Sequence, residues 1–161
     1  MNAYDLSCRS GSMSILSIAT SGLSAASLRV SVAASNIANV RTTGPLPASG
    51  GSSTSAGAGS VSTSSTYPAA YVPLRVDQVD QSSGSTPGGT IATVSTVSPS
   101  YTAQSDPSAP FADRDGLVAA PNVDLANELV QMAAAKYSFI ANAKVIQAYS
   151  ETTESLLDIK T

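Results

Sequence analysis

The side chains best suited to chemistry are three carboxylates, Asp106, Asp113 and Asp115, in a proline-punctuated stretch. Paired carboxylates can act as general acid and base, and acidic residues before a glycine are typical of calcium loops. Asp113, Asp115 and Gly116, however, give only a fragment of such a loop, and no Glu stands at its closing position. Asp and Gly in a proline-rich connector are far more often turn formers. We therefore expect turns here and no metal site.

Several classes of chemistry are excluded by what the sequence lacks. There is no His, and Cys8 is the only cysteine. This rules out a histidine-based catalytic triad, an imidazole metal site and a disulfide framework. The net charge of −3 gives no electrostatic footprint for nucleic acid. A peptidoglycan-cleaving enzyme would need an acid in a shaped pocket, and no such constellation is visible. We predict no enzyme activity, no cofactor and no small-molecule ligand.

The element that organises the chain is a C-terminal helix predicted over residues 122–161, a stretch without Gly or Pro. Asn122 follows Pro121 and is predicted to cap the start of this helix. Asp124 and Glu128 place negative charge where the helix dipole favours it.

Large apolar residues recur along this helix at alternating spacings of four and three, a pattern typical of a coiled-coil seam. A second stripe, which includes Tyr137 and Ile140, widens the apolar face beyond what one partner helix covers. A plain amphipathic helix on a globular core is the alternative, and the rest of the chain offers little core. The seam residues are Leu125, Leu129, Met132, Phe139, Ala143, Ile146 and Leu157, with polar breaks at Lys136, Ser150 and Thr153.

A second long helix is predicted within residues 13–44, before the stop signals Gly44 and Pro45. One face is lined largely with small residues, which let a neighbouring helix approach closely. That face holds Ile15, Ala19, Leu23, Ala26, Val30, Ala33, Ile37 and Val40. Residues 1–12 lack periodicity and are expected to be a disordered extension, which makes Met13 an alternative start. Ser and Thr interrupt the apolar run, so we expect neither a membrane span nor a cleaved signal peptide.

The middle of the chain divides by composition. Residues 45–66 are rich in Ser and Gly and predict a flexible low-complexity insert. Residues 67–104 contain β-branched runs around a turn-rich connector and predict a small β subdomain. Residues 105–121 are expected to be an extended connector. The predicted fold is mainly α, with two long terminal helices in a coiled-coil-like bundle and a small irregular β subdomain between them.

Two stretches carry a resemblance to a known family. Residues 35–44, which contain Asn36, Asn39, Thr43 and Gly44, resemble the motif shared by bacterial flagellar rod and hook proteins. Residues 106–124 are similar to the run before the last helix in proximal rod proteins of that family. The matching positions there and in the last helix are Asp106, Pro107, Gly116, Pro121, Asn122 and Asn142. The insert at residues 48–66 and the first 12 residues match nothing in the family.

The resemblance implies a structural subunit of the proximal rod of the flagellar basal body. Such a subunit is exported through the flagellar type III apparatus without a cleaved signal peptide, and it polymerises through its terminal helices. The expected partners are other proximal rod proteins, the adaptor between rod and membrane ring, more distal rod subunits and copies of itself. The alternative is a secreted coiled-coil adaptor or adhesin, which would form a homo-oligomer in solution.

The assembly interface is expected on the large apolar residues of the two helices. These residues are Ile15, Leu23, Val30, Ile37, Leu125, Leu129, Met132, Tyr137, Phe139, Ile140, Ile146 and Leu157.

Overall fold

A computed structural model describes residues 4–47, 67–81 and 88–159, and for residues 4–14 it describes the backbone alone. Two long helices enclose four short strands in chain order, which confirms the prediction of a mainly α chain with a small β region. The elements are α1 (Tyr4–Ala38), β1 (Leu74–Asp80), β2 (Thr90–Thr96), β3 (Tyr101–Ser105), β4 (Leu117–Pro121) and α2 (Leu125–Asp158).

The end of α1 and the start of α2 follow the local signals read from the sequence. Helix α1 ends at Ala38, before the predicted stop signals Gly44 and Pro45, and a turn follows. Helix α2 begins at Leu125, directly after Asp124, and has Glu128 in its first turn. The start of α1 differs from the expectation, because the helix runs from Tyr4 through residues expected to be disordered. Of the insert predicted over residues 45–66, residues 48–66 lie outside the described residues.

The chain folds as two compact units. The first comprises Met1–Ala34, Arg75–Ser95 and Ala126–Thr161, and so contains most of both helices and of the β1–β2 sheet. The N–H of Gln81 donates to the carbonyl of Gly89 at 2.9 Å, next to the residues that join the two strands. Near the other end, Arg75 Nε donates to Ser95 Oγ at 3.1 Å and lies 3.3 Å from Asp77 Oδ2. Because the end of β1 meets the start of β2 and the start of β1 meets the end of β2, the two strands run antiparallel within the predicted β subdomain.

The second unit comprises Ser35–Leu74 and Thr96–Leu125. Its core strand is β4, where Val118, Ala119 and Ala120 are buried. Strand β3 pairs with it antiparallel, in the register that places Tyr101 opposite Pro121 and Ser105 opposite Leu117. The expectation of an extended connector over residues 105–121 is therefore wrong in part, because this stretch contains turns and then a buried strand.

Helix α1 also contains a stretch, Ile15–Ala38, that is long and apolar enough to cross a membrane, with a mean hydropathy of 1.4. The Ser and Thr residues that interrupt its apolar run do not lower the mean hydropathy enough to exclude a membrane span. Core helices of soluble proteins and signal sequences near the N-terminus have similar length and hydropathy.

Candidate assembly interface

Small residues of α1 form the buried face of the first unit. Ala19, Ala26 and Ala33, spaced by seven, are buried as the predicted face requires, and Ala25 and Val32 join them. A side chain of one carbon adds almost nothing to the helix radius, so a second helix can approach the backbone closely. The sequence pattern thus identified the packing face of α1, although it did not include Ala25 and Val32 beside that face.

Helix α2 lies antiparallel to α1 in this unit. Arg29 Nη2 donates to Gln131 Oε1 at 2.7 Å, and further back along α1 Gly22 meets the side chain of Asn142. A Cβ added at Gly22 would lie 2.7 Å from Asn142 Nδ2, so an alanine here would displace the Asn142 side chain. Because lower residue numbers on α1 meet higher numbers on α2, the two chain directions are opposed. Ala135, one turn after Gln131, is the buried residue of α2.

This pairing leaves the large apolar residues of α2 uncovered. Leu129 is 54% exposed, Tyr137 72% and Leu157 71%. The face that α2 turns toward α1 carries Gln131, Ala135 and Asn142 instead of the leucine-rich seam. Of the predicted interface residues, Ile15, Leu125, Leu129, Tyr137, Phe139, Ile140 and Leu157 are exposed, while Leu23, Val30, Ile37, Met132 and Ile146 are half-buried. The coiled-coil seam is not buried within the chain and stays a prediction.

Part of this exposed face forms an open groove of about 590 Å³. Five apolar residues of α2, together with Val30 of α1, line it, and Lys136 is its one charged lining residue. The α2 residues are Leu129, Met132, Ala133, Phe139 and Ile140. Their spacing of three and four places them on one side of the helix, the arrangement that receives an amphipathic helix in a groove.

The motif residues that carry the family resemblance lie mostly in the second unit, where they hold the chain together. Asn36 is fully buried, and its side chain binds the backbone of Leu74 as a neighbouring strand would. Its Nδ2 donates to the Leu74 carbonyl at 2.7 Å, and its Oδ1 accepts from the Leu74 N–H at 3.1 Å and from the Tyr71 hydroxyl at 3.0 Å. An amide is the side chain that offers both a donor and an acceptor here. Asn39 directly follows the last residue of α1, and its Nδ2 donates to the Ser35 carbonyl.

Gly44 joins the two motif stretches to each other. It exchanges both backbone hydrogen bonds with Ala119 of β4, at 3.0 and 2.9 Å. A Cβ at this position would lie 2.2 Å from the backbone nitrogen of Ala70 and 2.7 Å from the Ala69 carbonyl carbon. No rearrangement of a side chain relieves such a clash, so the motif requires glycine here. Thr43, half-buried, precedes it and donates its N–H to the Arg41 carbonyl.

The carboxylates singled out for chemistry form turns, as their sequence context predicted. Asp113 Oδ1 accepts from the N–H groups of Asp115 and Leu117 at 2.9 Å each. Asp106 Oδ1 accepts from the hydroxyl of Ser108 at 2.7 Å. Gly116, at φ 71°, lies against Pro107 and donates to the Asp113 carbonyl. In the described part of the chain, no three His, Cys, Asp or Glu side chains converge on a metal site.

Asn122 does not cap α2, and that prediction is wrong. Its Nδ2 donates to the Pro99 carbonyl at 3.0 Å, and its N–H donates to the Ser100 carbonyl at 3.1 Å. Pro121 ends β4 as a buried residue and Asp124 directly precedes the helix, so Asn122 lies too early to cap it. A capping preference is shared by Asn and Asp, and the sequence alone left both in range.

Comparisons with known proteins match both ends of the chain. Residues 16–45 match the family described as "Flagella basal body rod protein", and residues 114–159 match the family described as "Flagellar basal body rod FlgEFG protein C-terminal". The chain is 35% identical over 136 residues to the flagellar basal-body rod protein FlgC of Salmonella typhimurium, an alignment that covers 83% of this chain and 87% of the relative. The FlgC protein of Salmonella typhi matches with the same identity and coverage.

Proposed function

The chain belongs to the family of flagellar basal-body rod proteins, and we propose that it builds the proximal section of the rod through the exposed faces of its two terminal helices. It is a structural subunit of the flagellar basal-body rod, where rod proteins assemble with other rod components for motility. The family is one of structural proteins and not of enzymes. The alternative of a secreted adaptor or adhesin has no support in these relationships.

The proposal rests on large apolar side chains of α2, such as Leu129 and Tyr137, that are solvent-exposed on a helix that already packs on the small residues of α1. Soluble monomers rarely expose a contiguous apolar face, and such faces mark surfaces that bind protein. Burying one Leu, Ile or Phe side chain is worth about 1.5–3 kcal/mol. A neighbouring subunit that covers the groove and the exposed apolar residues beside it therefore buries several such side chains, and each burial favours binding.

The contacts of the second unit and the exposed surface of the first support the same function. The second unit is fastened by Asn36 and Gly44, whose contacts are internal to that unit. The first unit leaves its apolar face to other molecules. The proposed neighbours are other proximal rod proteins, the adaptor to the membrane ring, more distal rod subunits and further copies of this chain. As a rod subunit the chain then transmits torque across the periplasm.

We further propose export through the flagellar type III apparatus with the N-terminal helix retained. The small residues of α1 that hold α2, Ala19 and Gly22 among them, belong to the stretch that a signal peptidase would remove. Mass spectrometry of purified basal bodies is expected to recover the tryptic peptide that ends at Arg29 and begins at Ser10, or at Met13 if that residue is the start. A mature N-terminus near Ser27 would contradict retention, and absence of the whole chain from basal bodies would contradict the rod assignment.

A further inference from the structure

The groove on α2 has a feature that restricts what can fill it, because a lysine stands in the middle of its apolar lining. Leu129 and Met132 precede Lys136 on the same side of the helix, and Phe139 and Ile140 follow it. Lys136 forms no ion pair among the described residues. A helix that covers the groove removes this ammonium group from water, which costs several kcal/mol unless a carboxylate accompanies the apolar contact. The occupant must therefore present an acidic and an apolar residue on neighbouring positions of one helix.

The C-terminal end of α2 itself meets this requirement. Leu157 is 71% exposed, and Glu154, three residues earlier and also exposed, lies next to it on the helix surface. Residues 150–161 carry Glu151, Glu154 and Asp158 against the single cation Lys160. Helix α1 exposes Ile15 and Ile18, but residues 15–38 contain no acidic residue. The start of α2 also places an acidic residue, Glu128, beside exposed Leu125, but Glu128 already interacts within its own chain. Charge complementarity thus favours the end of α2.

The pairing of Lys136 with Glu154 must occur between two copies of the chain. Both residues belong to one continuous helix and stand 18 positions apart, which corresponds to about 27 Å along the axis. Two side chains do not bridge this distance. When each copy gives its helix end to one neighbour and its groove to another, the contact is heterologous, and repeated contacts of this kind form rings or open helical arrays.

We propose that the groove receives the end of α2 from a second copy of the chain, with Leu157 seated on the apolar lining and Glu154 paired with Lys136. This contact rests on the proposed rod function and names one of its interfaces. It gives the subunits a direction, because the donor end and the acceptor groove are different surfaces of each copy.

A charge swap in the full-length chain, expressed in its own bacterium in place of the wild type, tests the contact. Lys136→Glu and Glu154→Lys are each expected to lower recovery of the chain in purified basal bodies by about tenfold or more. The double variant is expected to restore recovery to within about twofold of wild type. Lys136→Glu combined with Glu151→Lys is the matched control and is not restored, because Glu151 accepts from Gln147 of its own helix at 2.8 Å.

A cross-link gives a second readout that does not depend on the charges. With Cys8→Ser in the background, Lys136→Cys and Glu154→Cys in one chain are expected to form disulfide-linked multimers in oxidised basal bodies. A disulfide needs Cα atoms about 4.4–6.8 Å apart, so it does not form within one helix. Failure of the charge swap to restore assembly, together with monomers only after oxidation, would overturn this contact. Recovery of the wild-type chain in basal bodies prepared in parallel would leave the proposed rod function standing. Its absence from them would contradict that function as well.

Discussion

The Leu129→Asp variant is expected to fold and to be exported, but not to enter the rod. Leu129 lines the groove and is 54% exposed, so the isolated chain keeps the new carboxylate in water. Exposed substitutions of this kind usually change stability by no more than about 0.5 kcal/mol. In the assembled rod the same position loses about 1.5–3 kcal/mol of leucine burial and also buries a charge. The quantities to measure are the circular dichroism of the purified variant and its recovery in basal bodies.

Leu129→Met is the matched control, since it keeps an apolar side chain of similar volume in the groove. It is expected to assemble like the wild type. Normal recovery of the Asp variant in basal bodies would show that the groove stays in water. Loss of helical signal in the purified Asp variant would instead place Leu129 in the chain's own core, and either result contradicts the proposed interface.

Gly44→Ala is expected to give the largest loss of stability of any single methyl addition in the second unit. The new Cβ would meet backbone atoms of Ala69 and Ala70, at 2.7 and 2.2 Å, so the loop itself must move. Overpacking of this kind costs about 1–3 kcal/mol, and loss of the two hydrogen bonds to Ala119 adds about 1 kcal/mol each. We expect a loss of about 3–5 kcal/mol in the unit.

Hydrogen exchange on the backbone of β4 measures this loss locally. Protection of the buried residues Val118–Ala120 is expected to fall by more than about a hundredfold in Gly44→Ala. Gly116→Ala is the graded comparison: at φ 71°, with Pro107 at 3.1 Å, it is expected to cost about 1–2 kcal/mol. Unchanged protection in Gly44→Ala would mean that the close approach to Ala70 is not maintained in solution.

The sequence predicted features that depend on neighbours along the chain. The end of α1 at Ala38 follows from Gly44 and Pro45, and the turns at Asp106 and Asp113 follow from Asp, Gly and Pro in close succession. The buried alanines of α1 followed from helical periodicity. Each of these features is decided within a few residues, where propensity and pattern carry the information.

Strand β4 was missed because its environment is built from distant parts of the chain. The residues of β4, rich in Ala and ending in Pro121, have little intrinsic preference for a strand. They become one because β3 and Gly44 supply hydrogen-bonding partners from two other segments. The role of Asn36 depends in the same way on Leu74, which is 38 positions away.

The interface was predicted as an apolar pattern, but the pattern does not say which molecule covers it. The sequence analysis placed Leu129 and Tyr137 in an assembly interface, with a helix on a globular core as the alternative. In the structure the contact between the two helices uses Gln131 and Asn142. Small and polar residues allow the two helices to approach closely, and the large ones are left outside. Hydrophobic periodicity predicts that one face of a helix is buried. It does not tell whether the chain's own core or another subunit covers that face.

We expect the groove on α2 to be open in the free chain and covered in the rod, and protection of a single cysteine measures this directly. Ala133→Cys in a Cys8→Ser background places one thiol in the groove lining. In the purified chain we expect a maleimide reagent to label this thiol fully within the time that labels an unfolded control. In intact basal bodies we expect labelling at least about tenfold slower, with full labelling restored after dissociation. Equal labelling rates in the free chain and in intact basal bodies would show that the groove stays in water in the rod and does not serve as an interface.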